Sequence, residues 1–139
     1  MAANIHTPSQ QILTKTGVLT AITAAVVNGT GIDCQGFEVA AAILNSAPTG
    51  AGTTSDCKLQ ESADNSAFVD VAGGTFAQLT TAGGAKIQVM NIKLANRLRY
   101  LRLVHTGAGG SAAGVAAGIF QLYHPRYAPP TQDNAAISV

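Results

Sequence analysis

The side chains of this sequence that could do chemistry include three histidines, two cysteines and seven acidic residues. His6, His105 and His124 lie far apart and have none of the i, i+4 or neighbouring-cysteine spacings that metal sites use. No G-x-S-x-G elbow or comparable signature places a nucleophile beside a base. We therefore predict no catalytic residue, no metal site and no cofactor, and we expect the protein not to be an enzyme.

Two short patterns resemble ligand-binding loops without completing them. Asp64-Asn65-Ser66 is similar to the start of a calcium loop, but the glycine and the closing glutamate of that loop are missing. We predict an Asx turn there, because Asp and Asn side chains hydrogen-bond to the backbone just ahead of them. The glycine-rich run 107–110 is followed by neither the lysine nor the helix start of a phosphate-binding loop.

The two cysteines, Cys34 and Cys57, lack the paired C-x-x-C spacing of zinc and redox sites. We predict reduced, buried thiols. A single bridge between them is the alternative, and it requires that their strands lie side by side.

Arginine supplies the one concentration of charge in the sequence, with three residues inside positions 97–102. These arginines either keep a strand edge soluble or reach acidic groups on a neighbouring subunit, since the planar guanidinium suits interface ion pairs. The start of the C-terminal tail offers two further contacts. The candidate intersubunit contacts are Arg97, Arg99, Arg102, Arg126 and Tyr127.

The composition favours association with other proteins over binding to nucleic acid or membrane. Apolar residues make up 47% of the 139 positions, charged residues only 11%, and the formal net charge is +1. A neutral surface gives little repulsion between copies, and it lacks the basic face that binds phosphates. The sequence begins without a signal-peptide pattern, and the Ala/Val-rich stretch 18–27 is too short to span a bilayer. We expect synthesis in the cytoplasm and no membrane contact.

The elements that must position these side chains are short strands separated by Gly, Pro, Asn and Asp, a pattern typical of an all-β sandwich or barrel. We predict an extended arm at residues 1–10, a β-domain at 11–124 and an extended Pro-containing tail at 125–139. The first strand begins near Ile12. The further predicted strands are Val18–Val27, Gly36–Leu44, Cys57–Ser62, Ala67–Val71, Phe76–Thr81 (or a poorly paired edge segment), Lys86–Leu94, Arg97–His105 and Val115–Tyr123.

Local patterns add detail between and within these strands. We predict a mobile loop at Asn45–Ser55, a break at Gly73-Gly74 and a flexible hairpin loop at Gly107–Gly114. The apolar alternation shifts phase near Asn91, which predicts a bulge there. In the strand after it, both faces are mixed, which predicts that the strand meets two environments. One face has Arg99, Leu101, Leu103 and His105, and the other has Leu98, Tyr100, Arg102 and Val104.

Two stretches, 56–71 (DCKLQESADNSAFVDV) and 92–104 (IKLANRLRYLRLV), resemble segments of the capsid decoration, or cement, proteins of tailed bacteriophages. The shared pattern is a strand that ends in Gln-Glu-Ser, an Asp/Asn turn followed by Phe, and a basic strand with Tyr-Leu-Arg. The resemblance implies a single antiparallel β-sandwich or jelly-roll domain on the outer capsid surface of the virion. It also implies a homotrimer that binds neighbouring major capsid subunits and has no catalytic residues.

Two other functions fit an all-β chain. A tail-tube or other tail component would form rings, so a hexamer in solution would favour it over the capsid role. A carbohydrate-binding sandwich would need aromatic side chains for sugar stacking, and this chain has no Trp, three Tyr and four Phe.

Overall fold

The computed structural model describes residues 12–109 and 111–126, which form ten β-strands and two short 3-10 helices, at Thr81–Gly83 and Leu94–Asn96. The predicted arm 1–10 lies outside the described residues, as does all of the predicted tail beyond residue 126. The described part of the chain contains no helix with the length and hydropathy of a membrane span. The strands are β1 (Ile12–Ala21), β2 (Val26–Asn28), β3 (Ile32–Asp33), β4 (Val39–Pro48), β5 (Thr54–Ser62), β6 (Val69–Thr75), β7 (Leu79–Thr80), β8 (Lys86–Lys93), β9 (Tyr100–Ala108) and β10 (Gly114–Tyr123).

The strands form two antiparallel sheets, which confirms the predicted all-β sandwich. Sheet A has the order β1-β10-β4-β8. In sheet B, β9 and β5 are the two central strands. The short strands β2 and β3 both pair with the outer edge of β9, and β6 and β7 both pair with the outer edge of β5. With the shared positions merged, the strand order is that of an eight-stranded jelly roll.

Side chains that point between the two sheets form one hydrophobic core. The period of two along a strand sends alternate residues into this layer, and in β9 these are Leu101, Leu103 and His105, which the sequence places on one shared face. Phe120 on β10 is fully buried beneath Gly17, where a Cβ atom would lie 3.1 Å from the ring. The other core residues are Leu13, Val18, Ile32, Cys34, Ala40, Ala42, Leu44, Cys57, Leu59, Phe76, Ile92, Leu94 and Leu122.

The prediction of one strand over Val18–Val27 is wrong. Strand β1 ends at Ala21 and β2 begins at Val26, and residues 22–25 carry the chain from sheet A to sheet B. Packed sheets lie about 10 Å apart, so one straight strand cannot belong to both. The buried Ile22 fixes the crossing, since its backbone N–H donates to the carbonyl oxygen of Gly114 at 2.9 Å.

The predicted strand Gly36–Leu44 and the loop Asn45–Ser55 have the wrong bounds. Strand β4 extends to Pro48 and β5 begins at Thr54, so the connection is only residues 49–53. The turn-forming composition of this stretch is outweighed by pairing with β10, which continues to the Gly114↔Pro48 position.

The predicted strand Ala67–Val71 and break at Gly73-Gly74 are also wrong, because β6 continues through both glycines to Thr75. Gly73 has a φ of +74°, and the pairing of β5 with β6 shifts register between Lys58 and Gln60. The glycines therefore accommodate an irregularity inside the strand. The following segment is the poorly paired edge, with only β7 paired to β5.

The predicted bulge near Asn91 is absent from β8, which pairs with β4 in continuous register from Lys86 to Lys93. Ile92 is buried on the inward side together with Met90, whereas Ile87 and Val89 face outward. The phase shift read from the sequence arises because apolar side chains occupy both faces of this strand.

The predicted hairpin at Gly107–Gly114 is a crossover between the sheets. Strand β9 ends at Ala108 in sheet B, and β10 begins at Gly114 in sheet A. Gly114 has a φ of +117° and packs closely on the backbone of Ala47, and a side chain would fit neither condition.

Candidate functional site

Three of the five predicted contact residues, all of them arginines, converge on one surface cleft of about 350 Å³. Arg97 and Arg99 reach it from the segment between the second 3-10 helix and β9, and Arg126 reaches it from the residues after β10. The floor and walls are completed by Cys34, Gln35, Gly36, Phe37, Leu94 and Leu98. The lining of the cleft therefore includes three arginines.

Arg97 is held by Glu61 at the end of β5. Its Nη1 atom lies 3.4 Å from Glu61 Oε1, and the backbone N–H of Leu98 donates to Glu61 Oε2 at 3.0 Å. The Glu61 side chain is only 15% exposed. Because both carboxylate oxygens bind the 97–98 segment, Glu61 fixes the backbone that carries two of the cleft arginines.

Arg99 forms a two-pronged ion pair with Asp33 on β3. Nε donates to Oδ1 at 3.0 Å and Nη2 donates to Oδ2 at 2.6 Å. The Arg99 hydrogen bond lowers the pKa of Asp33, and the same contact raises the pKa of Arg99. Both side chains are nearly half exposed, so the pair orients the guanidinium and adds little to the stability of the fold.

Arg126 is anchored at the cleft through its backbone. Its N–H donates to the carbonyl oxygen of Gly36 at 2.8 Å, which places the residue on the rim formed by the 34–37 segment. Tyr127, the predicted contact beside it, lies outside the described residues.

Arg102 lies away from the cleft, on the outer face of sheet B. Its Nε atom donates to Gln60 Oε1 at 2.9 Å, and its guanidinium lies 4.0 Å from the centre of the Phe68 ring. Gln60 in turn donates to Asp70 Oδ1 at 2.7 Å, and Asp70 pairs with Lys58 at 2.8 Å. Arg102 thus belongs to a polar ladder that crosses β9, β5 and β6 and faces solvent.

A buried hydrogen-bonded chain of Ser46, Ser55 and His105 crosses the core, and it is not among the features predicted from the sequence. His105 Nε2 lies 2.8 Å from Ser55 Oγ, which lies 2.6 Å from Ser46 Oγ. Burial lowers the pKa of His105, so the ring is held neutral. The alternation of side chains along β5 and β9 is the sequence feature that could have indicated this chain, because Ser55 and His105 both lie at inward positions of their strands.

A serine hydroxyl beside an imidazole is also the arrangement of a nucleophile and its base. Here all three side chains are at most 2% exposed, so a substrate has no path to them. Within residues 12–109 and 111–126, every buried side-chain nitrogen and oxygen has a hydrogen-bond partner, and no group of three or more His, Cys, Asp or Glu side chains could hold a metal. The chain of hydroxyls and imidazole is a closed structural network.

Asp64, Cys34 and Cys57, which were also considered for chemical roles, have structural roles. The predicted Asx turn is confirmed, because Asp64 Oδ1 accepts hydrogen bonds from the backbone N–H groups of Ser66 and Ala67 at 2.9 and 3.0 Å. These bonds lower the pKa of Asp64. Cys34 and Cys57 are free and buried, as predicted, and burial raises the pKa of each thiol to about 12.

The fold occurs in solved structures, whereas no family model and no curated protein sequence matches the chain. The SPBc2 prophage-derived protein YomS superposes with a TM-score of 0.53 at 9% sequence identity, over 89% of this chain and 99% of its own. The PBSX exported protein XepA superposes with the same TM-score at 12% identity, over 99% of this chain and 46% of its own. At these identities the likeness establishes a common fold.

Proposed function

We propose that this protein is a non-enzymatic structural component of a tailed-phage virion. It decorates the outer surface of the capsid, binds neighbouring major capsid subunits as a homotrimer, and stabilises the shell. The role requires no cofactor, and its partners include neither nucleic acid nor membrane.

The observation that carries the proposal is the spatial relation between the two stretches that resemble decoration proteins. They are 20 residues apart in sequence, yet β5 from the first and β9 from the second are hydrogen-bonded neighbours in sheet B. Arg97 pairs with Glu61 and Arg102 bonds to Gln60 across this junction. The resemblance therefore falls on one contiguous unit of the fold, and the prophage origin of YomS is consistent with it.

The arginine cleft supplies a surface for the capsid contact. Two of its three arginines have guanidinium groups oriented by Asp33 and Glu61, so the remaining donors of these two groups are fixed in place. Arg126 adds a cation for which the described residues supply no acidic neighbour in the cleft lining. An acidic side chain on a capsid subunit is the partner that suits this arrangement.

The proposal is tested by adding the purified protein to capsids of the encoding phage that lack it, followed by cosedimentation and heating. We expect saturable binding and a higher temperature of capsid disruption. Arg126→Ala should weaken binding, whereas Lys86→Ala, at an exposed position on β8, should leave it unchanged. Failure of the wild-type protein to cosediment would contradict the capsid role, and a hexameric ring would favour the tail component.

A further inference from the structure

The outward side of sheet A is a largely apolar surface. The register of the four strands aligns outward residues in rows, with Val89, Ile43, Ile119 and Thr16 in one row and Ile87, Asn45, Ala117 and Leu19 in the next. We call this surface the sheet A face. Its large apolar members are Leu19, Ile43, Ile87, Val89, Val115 and Ile119.

The exposed apolar residues of the protein are concentrated on this face. Seven large apolar side chains are exposed among the described residues, and four of them belong to it: Leu19 at 75%, Ile87 at 68%, Val115 at 60% and Val89 at 59%. The rows from Asn91 to Ile87 contain no charged residue, and Lys93 stands at the end of the face. Single exposed apolar residues are ordinary, but a contiguous patch marks an interaction site.

Sheet B has the opposite character on its outward side. There Arg102, Gln60, Asp70 and Lys58 are hydrogen-bonded to one another and face solvent. The two outer faces of the sandwich therefore differ in character, since that of sheet B is polar and hydrogen-bonded and that of sheet A is largely apolar.

We propose that the sheet A face is the surface through which copies of this chain associate. Four strands about 4.8 Å apart and about eight residues long present roughly 500 Å². Two such surfaces bury roughly 1,000 Å² in total, which reaches the lower limit for a specific interface. Self-association brings identical residues into one interface, and the uncharged rows from Asn91 to Ile87 can meet without like-charge repulsion.

A sheet face also suits this mode of packing. The sheets inside the sandwich already pack face to face through aliphatic side chains, and a second copy repeats that geometry on the outer side of sheet A. The inference rests on the self-association in the proposed function. Because two identical faces in contact pair two copies, it assigns the sheet A face to the contact between trimers.

The test compares two valine substitutions by sedimentation velocity across about 1 to 100 µM, a range that covers common oligomer affinities. Val89→Lys places a charge on the sheet A face, and Val26→Lys places one on β2 of sheet B at nearly the same exposure, 61% against 59%. We expect an oligomeric wild type and a dissociation constant raised by about 100-fold or more in Val89→Lys, since an unpaired charge would be buried. Val26→Lys should stay within about twofold of wild type, as expected for a surface change.

Val115→Lys, on the interior strand β10, is the second variant, and circular dichroism checks that each protein is folded. A wild type that is monomeric throughout the range would overturn the inference and the self-association in the proposed function. An oligomer that both lysine variants of sheet A leave intact would overturn the inference alone. Capsid cosedimentation, measured separately, tests the capsid role in either case.

Discussion

Removal of the Ser55 hydroxyl should destabilise the protein more than its size suggests. Ser55 stands between His105 Nε2 at 2.8 Å and Ser46 Oγ at 2.6 Å. Ser55→Ala leaves both of these atoms buried without their partner, and each such group costs about 1–3 kcal/mol. We therefore expect a loss of about 2–4 kcal/mol in the free energy of unfolding.

Ser46→Ala is the matched control, because it removes the same atom from the end of the same chain. His105 and Ser55 keep their hydrogen bond in this variant, so the expected loss is about 1 kcal/mol. Urea denaturation at pH 7.5 measures both, with a midpoint lower by roughly 1–2 M for Ser55→Ala if the urea dependence is typical of a domain this size. Equal losses in the two variants, or a smaller loss for Ser55→Ala, would refute the closed structural network.

Three further predictions follow from buried groups. Burial lowers the pKa of His105 below its ordinary 6.5, so the unfolded state takes up a proton at a higher pH than the folded state does, and the free energy of unfolding should fall as the pH drops below about 6.5. Urea midpoints measured between pH 7.5 and 5 should show this fall. In His105→Gln the midpoint should depend less on pH. Cys34 and Cys57, with thiol pKa values of about 12, should resist a disulfide reagent at pH 8 until urea unfolds the protein, and rapid labelling of the native protein would contradict their burial. Gly107→Ala should lower the midpoint strongly, because a Cβ there would overlap the Thr23 carbonyl oxygen, whereas Gly83→Ala, whose Cβ would meet nothing closer than 3.6 Å, should change it little.

The grouping of side chains on one face of a strand was predictable from the period of two. In β9, Leu101, Leu103 and His105 share a face because each is two residues from the next, but both faces of this strand are mixed in sequence, so the inward face could not be identified. The Asx turn at Asp64 was predictable for the same reason, since it depends on residues adjacent in sequence. Local chemistry determines both features.

Features that depend on distant pairing could not be read from the sequence. The crossings between sheets at residues 22–25 and 109–113 follow from the jelly-roll order, which no local pattern specifies. In β8 the rule that apolar residues face inward fails, because Ile87 and Val89 lie on an apolar outer face. The ion-pair partners of Arg97 and Arg99 are 36 and 66 residues away in sequence. The sequence therefore identified the arginines but could not show that they line one cleft.

The measurement that tests the central claim most directly is a cryo-electron microscopy reconstruction of the phage virion that is proposed to contain this chain. The account predicts density for the jelly roll on the outer capsid surface, with the arginine cleft against major capsid subunits and the sheet A faces of neighbouring copies in contact. Density for the chain in the tail, or a virion without the chain, would contradict the proposed role.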